Sequence, residues 1–150
     1  INSVSVNDQM PYFAFKRLVD VFGNLDNKDV IFLGVSYRGD VGDTRFTPVE
    51  TLLELVRNSG SKTIIHDPFV SYWDEKKCFV EVDLDLVIAT NPDLIIISTG
   101  HSVYKHQSTV NKLMEISPTH IFDTIGLFGP DQISTLQSKH KVSILGRGDI

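Results

Sequence analysis

Apolar residues along the chain gather into short runs separated by polar stretches. Val30-Ile31-Phe32-Leu33-Gly34-Val35 and Leu94-Ile95-Ile96-Ile97-Ser98 do not alternate with polar residues. That pattern predicts strands buried on both faces of a parallel sheet. Lys62 to His66, closed by Asp67-Pro68, predicts another strand, and Thr119–Asp123 and Val142–Leu145 predict two more. Between them the period lengthens. Val49, Leu52, Leu53 and Val56 form one helical stripe that ends at Gly60. Thr47-Pro48-Val49-Glu50 reads as its start, a capping box in which Thr47 accepts from the Glu50 amide and Glu50 reaches back. Val103 to Ile116 predicts a second helix, Gly129-Pro130-Asp131 opens a third that runs to about Lys139, and Leu84 to Thr90 is a short one. Residues 69–82 have no clear period; Trp73, Phe79 and Val80 are scattered anchors. A leading helix is expected to begin at an Asp8 cap, with Pro11 in its first turn and Phe13, Leu18, Val19 and Phe22 facing inward, and to stop at Gly23-Asn24.

Strands alternating with helices imply an α/β fold, a three-layer sandwich with a mostly parallel, Rossmann-like sheet. The leading helix stands apart from this body across residues 24–28. With 150 residues, the chain suits one domain and can bury roughly two-thirds of its unfolded surface. Nineteen acidic residues against 14 basic ones give a net charge of −5, which argues against a nucleic-acid partner. No apolar run reaches the ~20 residues that span a bilayer, so no membrane partner is expected. Cys78 has no second cysteine to bridge with, which points to a reducing, cytoplasmic compartment. The start, Ile1 to Asp8, has neither the basic nor the apolar region of a signal peptide. It also has no Met, and the chain is expected to be part of something longer.

Ligands of open parallel sheets bind beyond the carboxyl ends of the strands. Those ends carry Ser36-Tyr37-Arg38, His66-Asp67, Thr99-Gly100-His101 and Asp123-Thr124. Gly34-Val35-Ser36-Tyr37-Arg38-Gly39 is not the dinucleotide fingerprint, because Ser36 stands at its second glycine, and it is not a P-loop, because Asp40 follows Gly39. Arg38 and Arg45 can meet phosphate oxygens and Tyr37 can stack on a base. The same cations can instead close an ion-pair network with Asp40 and Asp43. His66 beside Asp67 suggests a general base, but no nucleophile accompanies it, and Asp67-Pro68 is equally a turn opener. His101 is either a ligand-facing residue or an ordinary loop residue. Cys78 reads as a buried, inert thiol, and no Cys/His spacing fits a metal.

Five segments resemble the UDP-glucose/GDP-mannose dehydrogenase family. Val6-Asn7-Asp8-Gln9-Met10-Pro11 is similar to its V-N-x-x-M-P stretch, and Gly34-Val35-Ser36-Tyr37-Arg38 to G-x-[AS]-[FY]-K. Gly42-Asp43-Thr44-Arg45 with Thr47-Pro48 is similar to D-x-R-x-S-P, Asp67-Pro68 to the D-P after the next strand, and Ile144-Leu145-Gly146-Arg147 to the closing G-R. The resemblance implies residues 1–24 as the end of a central helical region and 25–150 as a C-terminal UDP-sugar-binding domain. It implies an enzyme that oxidises a sugar C6 alcohol to a carboxylate in two NAD-dependent steps, in polysaccharide biosynthesis. NAD and the catalytic Cys belong to parts outside this chain; Cys78 does not match the catalytic motif. The chain alone is expected to be inactive, with an N-terminal dehydrogenase domain as partner and a homo-oligomer as the complete enzyme.

By the same resemblance Tyr37 and Arg38 contact the UDP-sugar and Arg45 contacts NAD, with no catalytic and no metal residue in this chain. Arg38 replaces the usual Lys. Asp123-Thr124-Ile125-Gly126 resembles D-[GT]-R-N with Ile125 at the substrate-binding Arg. Gly100-His101, where glucose-oxidising members have Glu-Trp, leans towards UDP-N-acetylhexosamines. Two other readings stay open: a non-catalytic nucleotide-binding or regulatory module of the same fold, and a stand-alone flavodoxin-like domain.

Overall fold

The computed structural model describes residues 2–45 and 47–145, with side chains from residue 9 onward. Gly146 and Arg147, part of the closing motif, lie outside the described residues. In chain order the elements are α1 (Asn2–Phe22), β1 (Asp29–Leu33), α2 (Val49–Asn58), β2 (Lys62–His66), β3 (Tyr72–Trp73), β4 (Cys78–Phe79), α3 (Leu84–Ile88), β5 (Leu94–Ile97), a 3-10 turn (Ser102–Lys105), α4 (Gln107–Glu115), β6 (His120–Asp123), α5 (Pro130–Gln137) and β7 (Lys141–Ile144).

Five strands form one parallel sheet in the order β2-β1-β5-β6-β7. Strand alternation explains the continuous apolar runs. Val30, Phe32, Leu94, Ile96 and Phe122 point to one face and pack with Ala14 and Leu18 of α1 and Leu52, Leu53 and Val56 of α2. Their neighbours Ile31, Leu33, Ile95, Ile97 and Ile121 point to the other, under Val87 and Ile88 of α3, Val110 and Leu113 of α4, and Ile133 and Leu136 of α5. The three layers are therefore present. Each such side chain contributes about 1.5–3 kcal/mol relative to an exposed position, so two full faces drive the fold.

Several local expectations are corrected. The first helix starts at Asn2, which leaves Pro11 inside it and Asp8 no cap position. Its buried stripe is Pro11, Ala14 and Leu18, while Phe13 and Val19 face outward. The residue before α2 is Pro48, and Thr47 Oγ1 accepts from the Val49 amide at 3.3 Å while the Glu50 amide meets the Thr47 carbonyl. The reciprocal box is thus not made. The helix expected over 103–116 breaks at His106, whose extended backbone separates the 3-10 turn from α4. That turn seats Tyr104 fully inside, with its hydroxyl 2.9 Å from His66 Nδ1. Residues 69–82 form a small antiparallel hairpin, β3 with β4. Trp73 anchors it from within, but Phe79 is 82% exposed and rests edge-on against Tyr72. Cys78 is half-buried in β4, not enclosed. The chain then returns so that Glu81 pairs with His66 and covers the end of edge strand β2.

Three buried histidines set an acid limit. His120 meets Ser143 Oγ at 2.8 Å, His140 bridges the Thr119 amide and the Leu113 carbonyl, and His66 lies between Tyr104 and the Val82 carbonyl. Burial lowers all three below the ordinary imidazole value, His120 to about 4. The unfolded chain therefore binds more protons than the folded one below about pH 6.5. Stability is expected to be full above that value and to decline as pH falls towards 4. Urea unfolding across this range checks it: His120→Gln should flatten the acid limb, and an unchanged slope would count against the assignment.

Candidate functional site

The strand order reverses direction between β1 and β5, so the loops after these two strands flank the place where such sheets bind ligands. The β1 loop cannot leave an open crevice there. Gly34 turns with φ +106°, a backbone that favours glycine, and a Cβ on it would overlap the Thr99 side chain. Gly39 lies against the Gly100 carbonyl so closely that a Cβ would overlap it too. Thr99 Oγ1 also donates to the Ser36 carbonyl at 2.8 Å. The two loops are closed on each other, which leaves the rim above them as the surface open to a ligand at this crevice.

Asp67, at the end of β2, organises that rim from below. Its carboxylate is fully buried. Oδ2 accepts from the Val35 amide (3.0 Å), the Ser36 amide (3.2 Å), the Ser36 hydroxyl (2.8 Å) and lies 2.8 Å from His101 Nε2. Oδ1 accepts from the Phe69 amide, which makes the expected turn. Burial pushes this carboxyl up, but the His101 side chain and the Phe69 and Val35 amides outweigh it and hold it below the usual range. His66, adjacent in sequence, takes no part in this and sits in the core. His101 is neither ligand-facing nor an ordinary loop residue: it is fully buried and bridges Asp67 to the Asp40 amide, which donates to Nδ1 at 2.8 Å.

The rest of the β1 loop stands proud. Tyr37 is half exposed, its amide donating to the Asp43 carbonyl, and Arg38 is exposed without an ion-pair partner among the described residues. The expected four-member ion-pair network forms only in part. Arg45 grips Asp43 through Nε (3.0 Å) and Nη2 (3.1 Å) while remaining open to solvent. Hydrogen bonds from the Arg45 side chain and amide hold Asp43 down at about 2. Asp40 instead accepts from the Ser102 amide and hydroxyl, which lower its pKa. Thr44 ties the loop to Glu75 at 2.6 Å.

On the neighbouring strand end, Asp123 shapes the last piece of the rim. Its oxygens accept from the amides of Ile125, Gly126 and Leu127. Burial raises its pKa in spite of these bonds. The turn presents Ile125, 43% exposed, beside Gly100. Gly100 thus lies between Gly39, next to Arg38, and Ile125. The structure brings Tyr37, Arg38 and Ile125 to one rim and places Arg45 further along the same loop. Beyond the turn at Asp67, the sequence does not point to the way Asp67 ties the two loops or to the Asp40–Ser102 bonds; an Asp at a strand end facing a Ser in the first loop is the one signal that hints at the former.

A family model described as "UDP-glucose/GDP-mannose dehydrogenase family, UDP binding domain" matches residues 31–130. The UDP-N-acetyl-D-mannosamine dehydrogenase of Pyrococcus horikoshii is 30% identical over 104 residues, covering 67% of this chain and 23% of that protein. The enzyme of the same name from Methanococcus aeolicus is 27% identical over 104 residues, covering 68% and 23%. The solved NDP-N-acetyl-D-galactosaminuronic acid dehydrogenase from Methanosarcina mazei superposes with a TM-score of 0.77 at 25% identity, over 95% of this chain and 30% of that one. The matched part of this chain spans about a quarter to a third of the length of the curated relatives.

Proposed function

Since the chain belongs to the UDP-glucose/GDP-mannose dehydrogenase family through its UDP binding domain, we propose that it is the nucleotide-binding part of an NAD-dependent UDP-sugar 6-dehydrogenase. Residues 25–150 are the UDP-sugar-binding domain and 1–24 the end of a central helical region. The observation that carries this reading is the exposed Tyr37-Arg38 tip, whose guanidinium has no ion-pair partner among the described residues. Tyr37 offers a ring to a base and Arg38 a fork to phosphate oxygens. The relatives' names favour an N-acetylhexosamine as the sugar. The partner is an N-terminal dehydrogenase domain, in a cytoplasmic homo-oligomer.

Among the described residues the loop after β1 offers no dinucleotide cradle: Ser36 stands at the second glycine of the fingerprint, and Gly34 is packed against Thr99. No step of hydride transfer is assigned to them. Arg45 is the one residue proposed to reach NAD held elsewhere, and it would do so by releasing Asp43. Ile125 favours a second reading, a non-catalytic nucleotide-binding module of the same fold.

Titration with UDP, followed by amide chemical shifts, tests the proposal. Shifts should cluster at residues 35–45, 98–102 and 124–126, with affinity no tighter than about millimolar, since other contacts are supplied elsewhere. Incubation with NAD and UDP-N-acetylhexosamines should give no signal at the NADH band. Shifts centred on α1 or on the β3–β4 hairpin would show that the site is misplaced, and turnover would show that the catalytic parts are.

A further inference from the structure

We infer that His101 is a positioning residue for the nucleotide, because it fixes both feet of the Tyr37-Arg38 tip through one imidazole. The inference rests on the nucleotide reading above. One foot is Ser36. Its amide and hydroxyl both bond Asp67 Oδ2, the same oxygen that meets His101 Nε2. The other foot is Asp40, whose amide bonds His101 Nδ1. Between the feet lie only Tyr37, Arg38 and Gly39.

The direction of each bond follows from chemistry. A backbone amide can only donate, so Nδ1 is the acceptor and the neutral ring carries its proton on Nε2. That proton is the one Asp67 receives. The ring therefore has one donor and one acceptor, both are used at 2.8 Å, and the ring itself is fully buried. Phe69 and Tyr104 pack against it, with ring centroids at 5.1 and 5.5 Å, and restrict its rotation. Asp40 is fastened a second time, through its carboxylate to Ser102, directly after His101. The exposed tip is thus held from beneath by two fully buried residues, His101 and Asp67. A tip ordered in advance loses less freedom on binding, which strengthens affinity without a new contact.

Two variants and two readouts decide it. His101→Phe keeps an aromatic ring and removes both bonds; His101→Gln keeps one acceptor and one donor. Against UDP, the Phe variant should bind about tenfold more weakly and the Gln variant should recover most of that loss. The Asp40 amide should be protected from exchange in the unmodified chain and in the Gln variant, and unprotected in the Phe variant. Imidazole nitrogen shifts should report the proton on Nε2. Wild-type UDP affinity in the Phe variant, or a Gln variant no better than Phe, would overturn the positioning role. So would a proton found on Nδ1, a measurement on the unmodified chain that stands even if the Phe variant does not fold. If the unmodified chain gives no UDP shifts at all, the nucleotide reading falls, and the role of His101 in binding falls with it. In that case, Asp40 exchange still reports whether the latch exists.

Discussion

Replacing Asp67 by alanine is expected to cost about 3–5 kcal/mol of stability, because it strands several buried donors at once and each one left unsatisfied costs about 1–3 kcal/mol. The carboxylate is the common acceptor for the Val35 and Ser36 amides, the Ser36 hydroxyl, the Phe69 amide and His101. Alanine leaves these donors in a site closed to water. Asp67→Asn keeps one oxygen and should cost less. The depressed pKa of Asp67 means that its contribution is present above the unfolded value of about 3.9 and is lost as pH falls through the lower folded value. Denaturant unfolding near neutral pH measures the difference between the variants. A cost below about 1 kcal/mol, the net worth of an ordinary hydrogen bond, would show that Asp67 does not hold the two loops together.

Ile125→Arg is expected to tighten UDP binding by roughly ten- to a hundredfold. A hydrogen bond between charged groups contributes about 1.5–3 kcal/mol, and each 1.4 kcal/mol is tenfold. The position can carry the cation. It is 43% exposed, so the guanidinium need not be desolvated, and its backbone is already held by Asp123. Its side chain lies beside Gly100, whose carbonyl also meets Gly39, the residue after Arg38. Calorimetry or shift titration of the two proteins side by side gives the ratio. Equal affinities would mean that nucleotide does not pass over this end of the sheet.

The framework was legible because its signals are local. Strand β5 throughout, and β1 after the exposed Asp29, are apolar at successive positions, which a strand tolerates only when both faces are covered. The α2 stripe repeats at helical spacing and is buried as expected. Local signals fail where a residue's environment comes from elsewhere in the chain. Phe13 and Val19 are as apolar as Leu18, and only packing against α2 selects the stripe that turns inward. Likewise, nothing local in Val103–Ile116 tells that Tyr104 must reach His66 and so break the helix. For the candidate site, a motif in the sequence singles out Tyr37 and Arg38, and both are exposed at the tip of the β1 loop. The loop-tying bonds of Asp67 and His101 are invisible in the local sequence because those partners lie 31 to 61 positions away.

The seam between β1 and β5 also has a kinetic meaning. β1, α2 and β2 are neighbours in sequence, and so are β5, α4, β6, α5 and β7; each group can assemble through short-range contacts. Joining them requires a long closure: Ser36 and Thr99, which bond across the seam, are 63 positions apart. Closures of this length are slow relative to local hairpins and crossovers. Every bond that fastens the β1 loop to the β5 loop crosses this join. The rim thus comes into being at the docking of the two halves, and a transient parting of those halves would erase it while leaving most helices and strands intact.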